Sequence, residues 1–197
     1  MKSVWDNSKT RRVLVLQCVL VVMLFSVSGR GLIADSFSDR RAHVGLKLFR
    51  TLVAADLQSP NKVSGDGALP IYLVYASNDN AALDYRRTLM ESLPRVRDIP
   101  VRVDVHALAD VLADSADNPA AIFVTQRLND AELRQLVNYS IAQRIIVFSP
   151  FEGDVEKGVL GGLSVEATVR PLINMRTLAA SKLAIKNFYL KVAKQYE

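Results

Sequence analysis

Four short apolar runs constrain this chain more than any other feature: residues 71–75 (IYLVY), 99–105 (IPVRVDV), 120–125 (AAIFVT) and 145–148 (IIVF). Each is too short for a helix, and the first is bounded by Pro70 and by Ser77-Asn78-Asp79-Asn80, the punctuation of strands. Three of the four are nearly continuous in apolar residues, which a strand needs when both its faces are covered. The run at 99–105 alternates instead, Val101, Val103 and Val105 against Arg102 and Asp104, and with Pro100 in its first turn it reads as a strand near a sheet edge. The intervening stretches carry helical spacing, clearly over residues 80–93 and 130–143, where Asp130 is the expected cap, and weakly over 107–113. A helix from His43 places Val44, Leu48, Phe49, Leu52 and Val53 on one stripe, after an exposed lead-in at residues 35–41. This order predicts an α/β three-layer sandwich: a mostly parallel sheet of about five strands with helices on both faces.

The C-terminal part closes that sheet. Leu163, Val165, Ala167 and Val169 alternate with Ser164, Glu166, Thr168 and Arg170, a single half-buried edge strand that Pro171 is expected to end. Asn174 then stands where a helix N-cap belongs. A continuous final helix would put Leu183 and Leu190 among lysines, away from the face shared by Leu178, Ile185, Phe188, Val192 and Tyr196. The tail is therefore expected to be jointed: a short helix over 175–180, an extended step through Leu183 and Ile185, and a last helix capped by Asn187.

The N-terminus has the order of a secretory signal peptide. Lys2, Lys9, Arg11 and Arg12 precede the apolar residues 13–25, and Ser26, Ser28 and Gly29 follow. The apolar stretch is short for a bilayer span, which needs roughly twenty residues. Residues 1–29 are thus expected to be a leader, cleaved after Gly29 or Ala34 or else kept as an anchor. Residues 35–197 then form one periplasmic domain. The only cysteine, Cys18, lies inside the leader, so the mature domain has no thiol for a disulfide, a thiolate nucleophile or a cysteine zinc site. Without the leader the formal charge falls from +5 to +2, and no nucleic-acid footprint remains beyond a solvated row at Lys182, Lys186, Lys191 and Lys194.

Candidate binding residues come from the rule that ligands sit beyond the carboxyl ends of parallel strands. Ser77, Asn78 and Asp79 leave the first strand. Ser149, Phe151, Glu152 and Asp154 leave the fourth, where an aromatic stands among acids. Asn174 joins them through its place after the closing strand. The two histidines, His43 and His106, have no partner at ligand spacing. No catalytic residue, metal site or cofactor is expected.

Pro171-Leu172-Ile173-Asn174, the Leu183-Ala184-Ile185 step and the IYLVY strand after a first helix resemble the YfiR-like family of periplasmic proteins. The likeness in element order runs from about His43 to Tyr196. Family members often carry disulfides and a tryptophan at the end of the first helix; this chain has neither, its helix ending Val53-Ala54-Ala55-Asp56-Leu57. The resemblance implies a non-enzymatic regulator, often homodimeric, that binds an inner-membrane signalling protein such as a diguanylate cyclase or a sensor kinase and so acts on cyclic di-GMP or related signalling. The alternative reading is a single-lobe periplasmic solute-binding module with the two loops as its rim.

Overall fold

The computed structural model describes the backbone of residues 30–113 and 118–197 and, within those, side chains from Arg40 onward. The expected leader with Cys18, and residues 114–117 of the turn before the third apolar run, lie outside the described residues. Residues 41–197 form one compact unit, and the architecture below is that of this unit with the helix that leads into it. Among the described residues no helix is long and apolar enough to cross a membrane.

Helix α1 (Arg30–Ala55) leads through a 3-10 turn (Ser59–Lys62) to β1 (Leu69–Tyr75), α2 (Asn80–Ser92), β2 (Arg95–Val96), β3 (Ile99–Ala107) and α3 (Leu108–Leu112). Then come β4 (Ala121–Val124), α4 (Asp130–Gln143), β5 (Ile146–Phe148), β6 (Gly161–Val165), β7 (Val169–Asn174), α5 (Met175–Ser181), α6 (Asn187–Val192) and β8 (Lys194–Tyr196). The eight strands make one sheet in the order β2-β3-β1-β4-β5-β6-β7-β8. Strands β3, β1, β4, β5 and β6 run parallel, β2 and β7 are antiparallel to their inner neighbours, and β8 is parallel to β7. The α/β sandwich expected from the apolar runs is present, with a five-stranded parallel centre and three further strands at its margins.

The continuous apolar runs are buried on both faces as their composition requires. In β1, Ile71 and Leu73 face one core and Tyr72 and Val74 the other. On the first side α1 brings Leu46, Phe49, Leu52 and Val53, and α2 brings Ala82, Tyr85 and Leu89. Phe49 packs 5.4 Å from Phe123, which stacks on Phe148 at 5.8 Å. On the other side Leu108 and Val111 of α3 and Leu133, Leu136 and Val137 of α4 cover Ile122, Val124 and Val147.

Several expectations change. Residues 35–41 are helical, since α1 starts at Arg30 rather than His43. The cap of α4 is Asn129, not Asp130: its side chain accepts from the Glu132 backbone N–H at 2.9 Å while Glu132 reaches back to the Asn129 N–H at 2.9 Å, a reciprocal capping box. The single closing strand is two strands, β6 and β7, in a hairpin that turns at residues 166–168, with Val165 opposite Val169. Pro171 lies inside β7, opposite Leu163. The Asn174 N–H bonds back to Leu160 of the neighbouring segment, so strand alternation points the Pro171 nitrogen to the other side, where β8 pairs only from Leu172 onward. No ladder bond is lost, and the proline does not end the strand.

The joint in the tail is as expected, and its extended step is held by tertiary contacts. Lys182 ends α5 with a left-handed φ of 54°, and residues 184–186 then pair with the end of α1. Leu57 N–H bonds Ala184 O at 2.8 Å, Lys186 N–H bonds Ala55 O at 3.0 Å, and Asp56 bridges to Ile185. The last helix differs: Lys186 rather than Asn187 is at its N-cap, with no side-chain cap bond, and it gives way to β8. The glycine pair at the start of β6 is also explained. A Cβ on Gly161 would come 2.7 Å from Leu52 Cδ2, and one on Gly162 would come 2.5 Å from Val155 Cγ2, so α1 and the loop before β6 close on the strand only because both side chains are absent.

Candidate functional site at the carboxyl edge of the parallel strands

From β1 the chain moves outward to β3, then returns past β1 to β4 on the opposite side, so the order reverses between β1 and β4. In doubly wound sheets this reversal opens a crevice beyond the strand ends. Three loops meet there: residues 76–79 after β1, 125–129 after β4 and 149–158 after β5.

The middle loop ties the outer two together. Gln126 Oε1 accepts from the backbone N–H of Ala76 at 3.2 Å, from that of Ser77 at 3.0 Å and from the Ser77 hydroxyl at 3.1 Å. Its amide nitrogen donates to the Asn78 carbonyl. Ser77 and Asn78 therefore form a cradle around an internal carboxamide. Asp79 stands beside it at the start of α2, where its side chain makes no cap bond. Thr125 anchors the loop base, its hydroxyl donating to Val74 O at 2.9 Å. On the other side, the Arg127 guanidinium donates to the Glu152 carbonyl at 3.1 Å and lies 5.4 Å from the centre of the Phe151 ring, a cation–π distance. This supplies the packing partner that the aromatic needs.

The remaining loop residues serve the fold. Ser149 and Asp154 are buried, and the serine hydroxyl donates to Asp154 Oδ2 at 2.5 Å while accepting from Phe151 N–H at 3.2 Å. Burial pushes the Asp154 carboxyl above its ordinary pKa, and the bond from Ser149 offsets part of that rise. A sealed serine–aspartate pair of this kind closes a turn; it offers no nucleophile to solvent. Asn174 is brought to the same loop, and its polar atoms are used there: Oδ1 accepts from Thr177 N–H at 2.9 Å and Nδ2 donates to Val155 O at 2.7 Å. Arg41 of α1 adds a half-buried cation, donating to the carbonyls of Pro150 and Leu163. Burial lowers its pKa while the Glu152 carboxylate acts in the opposite sense.

Ser77, Asn78, Phe151 and Glu152 thus meet through side chains that sequence reasoning passed over, Gln126 and Arg127. The signal for them was available, since they directly follow a run identified as a parallel strand. Ser149, Asp154 and Asn174 are internal. Among the described residues no three metal-ligating side chains come together. A polar cleft of about 430 Å³ lies at the opposite, amino end of the strands, lined by Asn61, Ser64, Asn118 and Gln143, with Asn118 and Gln143 bonded to each other at 3.0 Å.

No family model matches the chain, and no curated protein sequence matches it. The solved structures similar to it include these two. One is the ABC domain in complex with L-Trp from Streptococcus pneumonia, with 14% identity over 73% of this chain and 61% of that one, at a TM-score of 0.48. The other is a conserved domain protein from Vibrio cholerae, with 12% identity over 74% of this chain and 60% of that one, at a TM-score of 0.50. The chain spans about three fifths of the length of each, and at its identity the likeness to the second shows an α/β fold alone.

Proposed function

We propose that this chain is a non-enzymatic periplasmic binding domain that acts by protein–protein contact on an inner-membrane signalling protein, a diguanylate cyclase or a sensor kinase. The observation that carries the reading is the surface at the β8 end of the sheet. Phe188 and Val192 of α6 are 63% and 55% exposed, and Val165 and Val169 of the β6–β7 hairpin are 52% and 45% exposed. Scattered exposed apolar residues are ordinary, but a cluster of them is a mark of an interaction site. The resemblance to YfiR-like regulators points the same way. The test is reconstitution: membranes containing a signalling protein captured by the domain should change their cyclic di-GMP or phosphoryl output when the domain is added. Capture with unchanged output, in an assay where a known regulator pair responds, refutes the reading.

The Gln126 cradle favours a second reading, a solute-binding module. Three donors converge on one oxygen, an arrangement that would suit a ligand carboxylate once the glutamine swings out. Carboxylic acids should then raise the melting temperature of Gln126→Ala by mass action. No shift across a panel of mono- and dicarboxylates ends this reading.

A further inference from the structure

We infer that α6 and β8 form a strap that opens from the rest of the domain by local unfolding, and that its opening controls the surface carrying Phe188 and Val192; the second half rests on the protein-contact reading above. The strap begins where a firm anchor ends. Leu183 and Ile185 are buried, and the step that holds them is bonded to the end of α1, Leu57 N–H to Ala184 O and Lys186 N–H to Ala55 O. At Lys186 the backbone is extended, with φ −56° and ψ 133°, and leads into α6 without a side-chain cap.

Beyond that point the ties are weak. α6 is six residues long and has Tyr189 as its one buried residue; a helix of that length depends on packing for its stability. β8 pairs with β7 over three residues in parallel, the less stable pairing, and Lys194 and Gln195 in it are exposed. The ion pair between Lys194 and Glu166 lies at the surface, where such pairs contribute little.

Tyr189 is an imperfect anchor. Its ring belongs to the α1-side core, but its hydroxyl is buried and bonds nothing. The Thr51 hydroxyl beside it gives its own proton to Leu48 O at 2.7 Å. Among the described residues one other buried side-chain polar atom lacks a partner, Gln58 Oε1, and that amide still places its nitrogen 3.4 Å from Lys182 O. The Tyr189 hydroxyl has given up water without gaining a bond, and it regains water only when α6 lifts. The ring therefore holds the strap down while the hydroxyl works against it. Because α6 carries Phe188 and Val192, each opening withdraws both from the contact surface.

Amide exchange followed by NMR on the full chain tests this. Ala193 N–H, bonded to Tyr189 O, and the bonded amides of β8 should be at least about tenfold less protected than Lys186 N–H and the amides of β1, with little dependence on low urea, the mark of local opening. Tyr189→Phe keeps the ring and removes the hydroxyl. It should slow exchange at Ala193 by about fivefold or more and leave the melting temperature unchanged or raised. Phe188→Asp, at an exposed position, should alter that exchange by under about twofold. Protection of Ala193 and β8 equal to that of β1, with the same urea dependence, overturns the inference. So does a Tyr189→Phe variant that exchanges no slower or melts lower, because the hydroxyl is then bonded in the folded protein. A captured signalling protein should slow exchange at Ala193, since it holds the strap shut; capture without that slowing ends the control of the contact surface and leaves the opening itself standing. If the free chain behaves as expected but no signalling output responds to the domain, the contact reading fails and the strap stands.

Discussion

Replacing Asn174 by alanine should destabilise the domain by about 1.5–2.5 kcal/mol, because its one side chain bonds two backbone groups in a buried site. Loss of the acceptor for Thr177 N–H at 2.9 Å removes the cap of α5, which costs about 1 kcal/mol. Loss of the donor to Val155 O at 2.7 Å leaves that carbonyl with Gly158 N–H at 3.1 Å in a site where Asn174 is 3% exposed, and the lost bond costs a further ~0.5–1.5 kcal/mol. For a domain of this size the sum corresponds to a fall in melting temperature of about 3–10 °C. Asn174→Asp separates the two contributions. The carboxylate keeps the cap and gains up to about 1 kcal/mol from the helix N-terminus, but its second oxygen faces the Val155 carbonyl. That repulsion, in a buried site, outweighs the dipole, so the neutral acid, which can donate, is the favoured form. The carboxyl pKa in the folded variant then lies above its unfolded value, and stability is present at low pH and lost as pH rises through the folded value. Thermal melts followed by circular dichroism at acidic and neutral pH read all three proteins. An Asn174→Ala midpoint equivalent to less than about 0.5 kcal/mol from wild type, or an Asn174→Asp variant that weakens further on acidification relative to wild type, refutes the reasoning.

Gly162→Ala places a Cβ 2.5 Å from Val155 Cγ2 and 3.0 Å from the Ser149 carbonyl, and should cost about 1–3 kcal/mol in urea unfolding. Val155→Ala in the same background should recover part of that loss, since only one of the two contacts is a side chain. Asp154 has a folded pKa raised by burial, so wild-type stability should fall as pH climbs from the ordinary carboxylate value to the raised one; urea midpoints of Asp154→Asn should lack that slope. Gln126→Ala removes the acceptor of the Ala76 and Ser77 N–H groups, and those two amides should exchange faster by NMR while global unfolding moves by under about 1 kcal/mol.

The parallel centre of the sheet was legible because β1, β4 and β5 are apolar on both faces, and that pattern depends on burial alone. The helices between the strands were legible through spacing. What the local pattern could not show was where the closing strand turns. Residues 163–169 alternate without interruption, and the hairpin at 166–168 breaks them only because Val169 pairs back with Val165. Pro171 looked like a stop because its nitrogen cannot donate; it is harmless because that nitrogen faces a stretch of edge not yet covered by β8. Of the site residues, Asp154 and Ser149 were chosen as polar groups in a loop, and the fold turned them inward into a bonded pair.

The amino-acid sequence by itself determined the fold class, the capping role of Asn174 and the joint near Lys182, since each follows from burial pattern, hydrogen-bonding chemistry or helical phase within a few residues. Only the tertiary structure decided which loops meet. Gln126 and Arg127 gain their meaning from the reversal of strand order between β1 and β4, which sets residues about fifty positions apart side by side. The same is true of the β8 edge: strand character in residues 194–196 comes from pairing with β7, and a three-residue segment carries no periodicity from which that pairing could be read.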